Sequence, residues 1–174
     1  MEALNKRASS RQFIQKKIEK QELSNILWAA FGVNRPERDG RTAPSAMDQR
    51  EIDIYVVIAD GTFLYNPQNN TLKQISSDDV RAATGSQDFV AKAPLNLVFV
   101  ANYARVKNYN KTDSKLYAYS DCGFISQNVY LYCASAGLGT VVRAMVDREK
   151  LALKLQLSDK QEIIMAQTIG YEGK

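Results

Sequence analysis

The sequence predicts an α+β sandwich, and three observations carry that prediction. Helical and strand-like apolar patterns are both present, and they neither alternate strictly nor separate into blocks. The composition, 45% apolar and 24% charged over 174 residues, suits a single packed domain spanning 1–174. No apolar run approaches the roughly 20 residues needed to span a bilayer, and the stretches at 56–59 and 97–101 are of strand length.

The elements follow in order. Residues 22–31 have helical apolar spacing and stop at Gly32, a residue suited to a helix end. On that spacing Trp28 reads as a core side chain, while Lys16, Lys17 and Lys20 read as a solvated helix face. Residues 33–50 are polar and turn-rich, with Pro36, Gly40 and Pro44, and predict a long loop. Residues 52–59 are rich in Ile, Val and Tyr and predict a strand, closed by the Asp60-Gly61 turn. Two short strands, 62–65 and 71–75, flank Asn66-Pro67-Gln68-Asn69-Asn70, and Ser77-Asp78-Asp79 can cap a short helix through Ala83. A buried strand is expected at 95–101 and a long helix at 115–136, ended by Gly137-Leu138-Gly139. A strand at 140–146, a helix at 148–155 and a last strand at 163–170 complete the chain.

Charge and residue content narrow the chemistry. The formal charge is +4, and residues 1–20, with six Lys/Arg against two Asp/Glu, hold all of that excess. No basic stripe with interleaved aromatics is present, so a nucleic-acid partner is not expected; an acidic ligand near the amino terminus fits better. The chain contains no histidine, which removes serine-histidine and cysteine-histidine hydrolysis in their usual forms along with the commonest metal ligand. Cys122 and Cys133 stand three turns apart on the predicted helix, too far for a disulfide, and read as buried thiols suited to a reducing compartment. The opening residues 1–6 have no signal-peptide apolar region, so a cytoplasmic location is expected, although a clipped leader would leave no trace. Such chemistry as the protein performs is expected to rest on a cofactor.

One segment points to a ligand. In Arg7-Ala8-Ser9-Ser10-Arg11-Gln12-Phe13, two guanidinium groups four residues apart enclose two hydroxyls. Arginine forks match phosphate oxygens, and serine can complete the cage. On a shared helical turn Arg7 and Arg11 would point the same way. Taken alone, the cluster equally describes a solvated basic face. Asp48 and Asp121 could act as acids but read more simply as a surface charge or helix cap, and Arg35 reads as loop structure.

The opening motif is followed by Leu27-Trp28-Ala29-Ala30-Phe31-Gly32-Val33-Asn34-Arg35-Pro36, then Arg41-Thr42-Ala43-Pro44-Ser45-Ala46. Gln127-Asn128, Ala136-Gly137-Leu138-Gly139 and Ile169-Gly170-Tyr171 come after. This ordered series resembles the FMN-dependent nitroreductase family, in particular the branch similar to SagB-type dehydrogenases, and covers nearly the whole chain. The resemblance implies a central mixed or antiparallel sheet flanked by helices, and a homodimer with two FMN sites at the subunit interface. It also implies hydride chemistry at the flavin, with NADH or NADPH as donor and a small electron-poor acceptor such as a nitroaromatic or quinone, in ping-pong order.

By the same resemblance Arg7, Ser9 and Arg11 match the phosphate- and ribityl-binding motif, and Pro44, Ser45 and Ala46 match the segment the partner lays against the isoalloxazine. Gln87 falls where the family places a flavin-facing polar residue. Arg143 and Ala144 fall where its backbone passes the flavin N5 edge. No catalytic side chain and no metal are expected. The chain departs from the family in carrying Met47 after Pro-Ser-Ala and Ala144-Met145 where many relatives have a glycine pair. It also ends at Lys174, which is the candidate for the charge that a longer basic tail supplies elsewhere. The resemblance leaves two alternatives to reduction of acceptors: a SagB-like dehydrogenase that oxidises a heterocycle, and a flavin-binding or redox-sensing module without turnover.

Overall fold

A computed structural model of the chain describes residues 1–107 and 110–173. Twelve helices and strands alternate irregularly through it. They are α1 (Glu2–Lys6), α2 (Lys20–Phe31), β1 (Val33–Arg35), β2 (Gly40–Arg41), β3 (Ile52–Ile58), β4 (Gly61–Asn66) and β5 (Thr71–Ser76), then β6 (Leu95–Asn102), α3 (Lys111–Ala136), β7 (Gly139–Arg143), α4 (Arg148–Lys154) and β8 (Gln161–Gly170). Six strands form one sheet in the order β5-β4-β3-β6-β8-β7, and every neighbouring pair is antiparallel. The α+β expectation is met, with the sheet antiparallel throughout.

The sheet sorts its side chains by strand period. On β3, Ile52, Ile54 and Val56 join one apolar cluster, while Tyr55 and Val57 join the other. Strand β6 is buried on both faces, which explains its unbroken apolar run. One face is covered by α2 and α3 through Ile26, Leu27, Ala30, Phe31, Ile125 and Val129. The other is covered by α4, through Leu151, together with Leu155 and Val80. At roughly 25 cal/mol per Å² of buried apolar area, each of the Ile, Leu, Val and Phe side chains among them stabilises the fold by about 1.5–3 kcal/mol.

Helix α3, at 26 residues, is the longest helix among the described residues. Asn110 caps it by accepting from the Asp113 amide at 2.9 Å, which starts the helix earlier than the predicted 115. It ends at Gly137, whose φ of +71° lies in the left-handed region that glycine enters without strain. Cys122 and Cys133 are buried free thiols, as expected.

Several expectations are corrected. The 33–50 loop contains a small hairpin, β1 with β2. The predicted 140–146 strand stops at Arg143, where pairing with β8 ends. Lys16 and Lys17 lie ahead of α2, not on it, because the Ile14 amide donates to the Tyr171 carbonyl and holds this segment against the chain's end. Lys17 then reaches Asp60 at 3.0 Å, and the Lys16 ammonium sits 4.1 Å from the Tyr171 ring centroid. Trp28 is 45% exposed instead of core, since the inward stripe of α2 runs through Ile26, Leu27, Ala30 and Phe31. Its ring folds across Gly32, where a Cβ would come within 2.4 Å of it, and its indole N–H donates to the Val33 carbonyl.

Candidate functional site

The amino-terminal motif is held by backbone pairing that its sequence does not reveal. Helix α1 ends at Lys6, and Arg7 turns out of it with φ −57° and ψ 118°, so Arg7 and Arg11 do not share a helical turn. The Ser10 amide donates to the Thr140 carbonyl of β7 at 3.0 Å, and Phe13 bridges to Glu172. The segment thus runs beside β7, the edge strand of the sheet. Ser9 Oγ lies 2.9 Å from the Tyr130 hydroxyl, which also accepts from the Val142 amide at 3.0 Å. The Arg7 guanidinium sits over the Tyr130 ring, 5.4 Å from its centroid. Tyr130 therefore points inward from α3 and joins the opening motif to β7.

The far end of β7 carries Arg143, which is 4% exposed and has no carboxylate partner among the described residues. Its Nε donates to Thr168 Oγ1 at 2.9 Å, Nη1 to the Thr84 carbonyl at 2.8 Å, and Nη2 to Asn96 Oδ1 at 3.0 Å. Burial alone pulls its pKa down to about 10, so it stays charged at neutral pH. Gly85 packs tightly beside it: an added Cβ would lie 1.9 Å from Arg143 Nη1 and force that end of the side chain to shift. Two residues on, Gln87 donates weakly to Met145 Sδ at 3.6 Å, while its amide oxygen is buried without a partner. Ala144 and Met145 leave the sheet exposed. Contacts through Tyr130 and Gly85 thus link Arg7, Ser9, Gln87, Arg143 and Ala144 along one edge of a single chain. Arg11 projects from the same segment, exposed and without an ion pair among the described residues.

Pro44, Ser45 and Ala46 stand elsewhere. The Ala46 amide donates to both carboxylate oxygens of Asp121, at 2.9 and 3.2 Å. Ser45 Oγ accepts from the Arg50 amide at 2.8 Å and lies 3.3 Å from Glu51 Oε2. Asp121 precedes Tyr130 by nine residues on α3, a separation of roughly 13 Å along the axis. The segment that follows is strained: Met47, Asp48 and Arg50 have φ of 51°, 54° and 53°. Arg50 is held by ion pairs to Asp39 and Asp48.

Two residues of this second cluster were not anticipated. Asp121 is neither a cap nor a surface charge; it is 2% exposed, and Glu51 is 1% exposed. Burial, with the Asp121 charge adding to it, pushes the Glu51 carboxyl up to about 7. The signal for Asp121 was its spacing: Ala118, Ile125 and Val129 lie three before, four after and eight after it on the inward stripe of α3. Lys174 lies outside the described residues.

The donor set fits a flavin phosphate. Arg7 and Ser9 meet at Tyr130, and Arg11 follows on the same segment; neither guanidinium has an ion pair among the described residues, and the buried amide oxygen of Gln87 has no donor among them. Among the described residues no cluster able to hold a metal ion is present, and no helix is long and apolar enough to cross a membrane.

Comparison with known proteins identifies the family. The model of the nitroreductase family matches residues 4–171. A Methanocaldococcus jannaschii protein named as a nitroreductase is 36% identical over 159 residues, covering 85% of this chain and 80% of its own length. A Ralstonia eutropha crystal structure, also named as a nitroreductase, superposes with a TM-score of 0.95 at 42% identity over 99% of this chain and 82% of that one. The Escherichia coli microcin synthetase complex contains a chain that shares the fold, with a TM-score of 0.83 at 17% identity over 100% of this chain and 74% of that one. This chain belongs to the nitroreductase family of oxidoreductases.

Proposed function

We propose that the protein is a homodimeric FMN oxidoreductase that takes hydride from NADH or NADPH and passes it to electron-poor acceptors such as nitroaromatics or quinones, in ping-pong order. The observation that carries this reading is the linkage of Arg7, Ser9, Gln87 and Arg143 along one edge, with Arg7 and Arg11 left unneutralised.

Arg7, Arg11 and Ser9 would hold the phosphate and ribityl chain, and the Gln87 amide would both donate to and accept from the pyrimidine edge. The backbone at Arg143 and Ala144 would lie beside N5. Bound FMN supplies the hydride chemistry. The protein's part is to orient the ring and set its surroundings: Arg143 fixes the end of β7 against Thr84, Asn96 and Thr168, so the backbone beside it is rigid.

Dimerisation is supported by the place of Pro44, Ser45 and Ala46, which are separated along α3 from the first cluster and would serve the partner's flavin. The outer face of α3 supports it too. Leu116, Tyr119 and Phe124 are exposed there, and nothing lies within 4 Å of a Cβ built on Gly123. A mid-helix glycine costs about 1 kcal/mol relative to alanine, which close approach of a second helix would offset.

Arg11→Ala tests the assignment. Flavin affinity is expected to fall by roughly 1.5–3 kcal/mol, the size of one charge-assisted contact, with the thermal midpoint of the FMN-free protein unmoved because the side chain is exposed. Isothermal titration with FMN measures it. Unchanged affinity would take Arg11 out of the site.

A further inference from the structure

Two buried carboxyls stand directly behind the Pro44-Ser45-Ala46 turn, and the flavin-holding residues do not use them. Glu51 immediately precedes β3 and Asp121 projects from α3; both are essentially inaccessible to solvent. They grip adjacent residues of one turn, Glu51 through the Ser45 hydroxyl at 3.3 Å and Asp121 through the Ala46 amide at 2.9 Å. The second oxygen of Glu51, Oε1, is buried with no partner. Two carboxylates cannot both be charged in so dry a place at small cost, so the pair retains a proton.

The groups facing them do not neutralise the second charge. Arg105 gives its guanidinium to Asp53 at 2.6 Å and to the Glu51 main-chain carbonyl at 3.0 Å, away from the carboxyl. Arg50 is committed to Asp39 and Asp48. Cys122 and Tyr103 are both pushed above their ordinary values, chiefly by burial, with the Asp121 charge adding at Cys122 and Glu162 adding at Tyr103, so neither competes as the acid.

We propose that Glu51, acting through the Ser45 hydroxyl, supplies the proton that accompanies hydride to the acceptor. Ser45 is only half-buried; its hydroxyl donates to Glu51 Oε2 when that carboxyl is charged, and a protonated Glu51 would reverse this bond, with Oγ accepting and its own hydrogen released to leave outward. This rests on the flavin reading above. For a quinone acceptor the balance is complete. The ring takes two electrons and one hydrogen as hydride from reduced FMN, which is oxidised. It takes the second hydrogen from Ser45 Oγ; Glu51 restores the serine proton, is left as carboxylate and is reprotonated from water. The direction of shift at Glu51, to about 7, suits an acid working near neutrality. Within this scheme Glu51 is a positioning and proton-storing residue, since it acts through another side chain.

Glu51→Gln keeps the size and neutrality of the side chain and cannot release a proton. Stopped-flow reoxidation of the FMN-loaded, pre-reduced protein by a quinone should be slower in this variant by on the order of 100-fold below pH 7. The two proteins should converge above pH 7, where wild-type Glu51 is itself ionised. A deficit of the same size at every pH would mean that Glu51 only supports the turn, and would overturn the relay.

The second readout needs no turnover. Infrared titration of the FMN-free protein should show a protonated-carboxyl carbonyl stretch that fades through about pH 7 and is missing in Glu51→Gln. No such band in the wild-type protein at pH 6 would also overturn the proposal, and this titration decides the matter if the variant does not fold. A protein that takes up no FMN fails the flavin reading and the relay with it; a flavoprotein without the infrared band fails the relay alone.

Discussion

Arg143→Met is expected to lower the free energy of unfolding by about 3 kcal/mol. The wild-type guanidinium makes three buried hydrogen bonds, to Thr168, Thr84 and Asn96, each in the range of about 1.5–3 kcal/mol for a charged donor. Against them stands the penalty of burying the charge. The shift of Arg143 from 12.5 to about 10 corresponds to roughly 3 kcal/mol. The bonds win, because methionine leaves the Thr84 carbonyl and Asn96 Oδ1 short of a donor in the core. Thr168 Oγ1 can still donate to Asn96 Oδ1 at 2.6 Å, which keeps the loss from being larger. Urea unfolding measures the change, with an unchanged slope expected. A loss below about 1 kcal/mol would mean that the buried charge, and not its bonds, dominates at this position. Gly85→Ala should act on the same network from outside, since its Cβ would displace Arg143 Nη1.

The second large effect is a pH dependence of stability set by Glu51. Its carboxyl ionises near 4.5 in the unfolded chain and near 7 in the folded protein. The unfolded state therefore gives up its proton first as pH rises. The contribution to stability is fully present below about 4.5, is lost progressively as pH rises through about 7, and is flat beyond. The span amounts to about 3 kcal/mol. Glu51→Gln removes this slope, so the variant should gain on the wild type between pH 5 and pH 8. Denaturant midpoints of both proteins at the two pH values check it. Parallel curves would mean that Glu51 is ionised in the folded protein.

The parts of the fold that were legible from sequence are those whose cause is local. The apolar run of β6 and the Gly137 stop of α3 each carry their reason within a few residues. So does the β3–β4 turn at Asp60-Gly61. What was missed depends on partners distant in sequence. Trp28 obeys helical spacing but lies just outside the inward stripe, and the small Gly32 lets its ring fold outward. Lys16 and Lys17 are kept out of α2 by the chain's own end, which no window around them contains.

The site divides in the same way. Residue types marked Arg7, Ser9 and Arg11 as a candidate phosphate grip, but the partner that holds Ser9 in place is Tyr130, 121 positions away. Asp121 and Ala46 are 75 positions apart. Their pairing turns a residue read as a cap into half of a buried acid pair, because only the tertiary contact removes it from water.

The measurement that bears most directly on the central claim is the absorption spectrum of the purified protein, taken before and after anaerobic NADPH. A yellow protein whose released chromophore is FMN, and whose visible band bleaches on addition and returns with a quinone, is the predicted result. A protein that stays colourless when FMN is supplied, or a flavin that neither NADH nor NADPH bleaches, would contradict it.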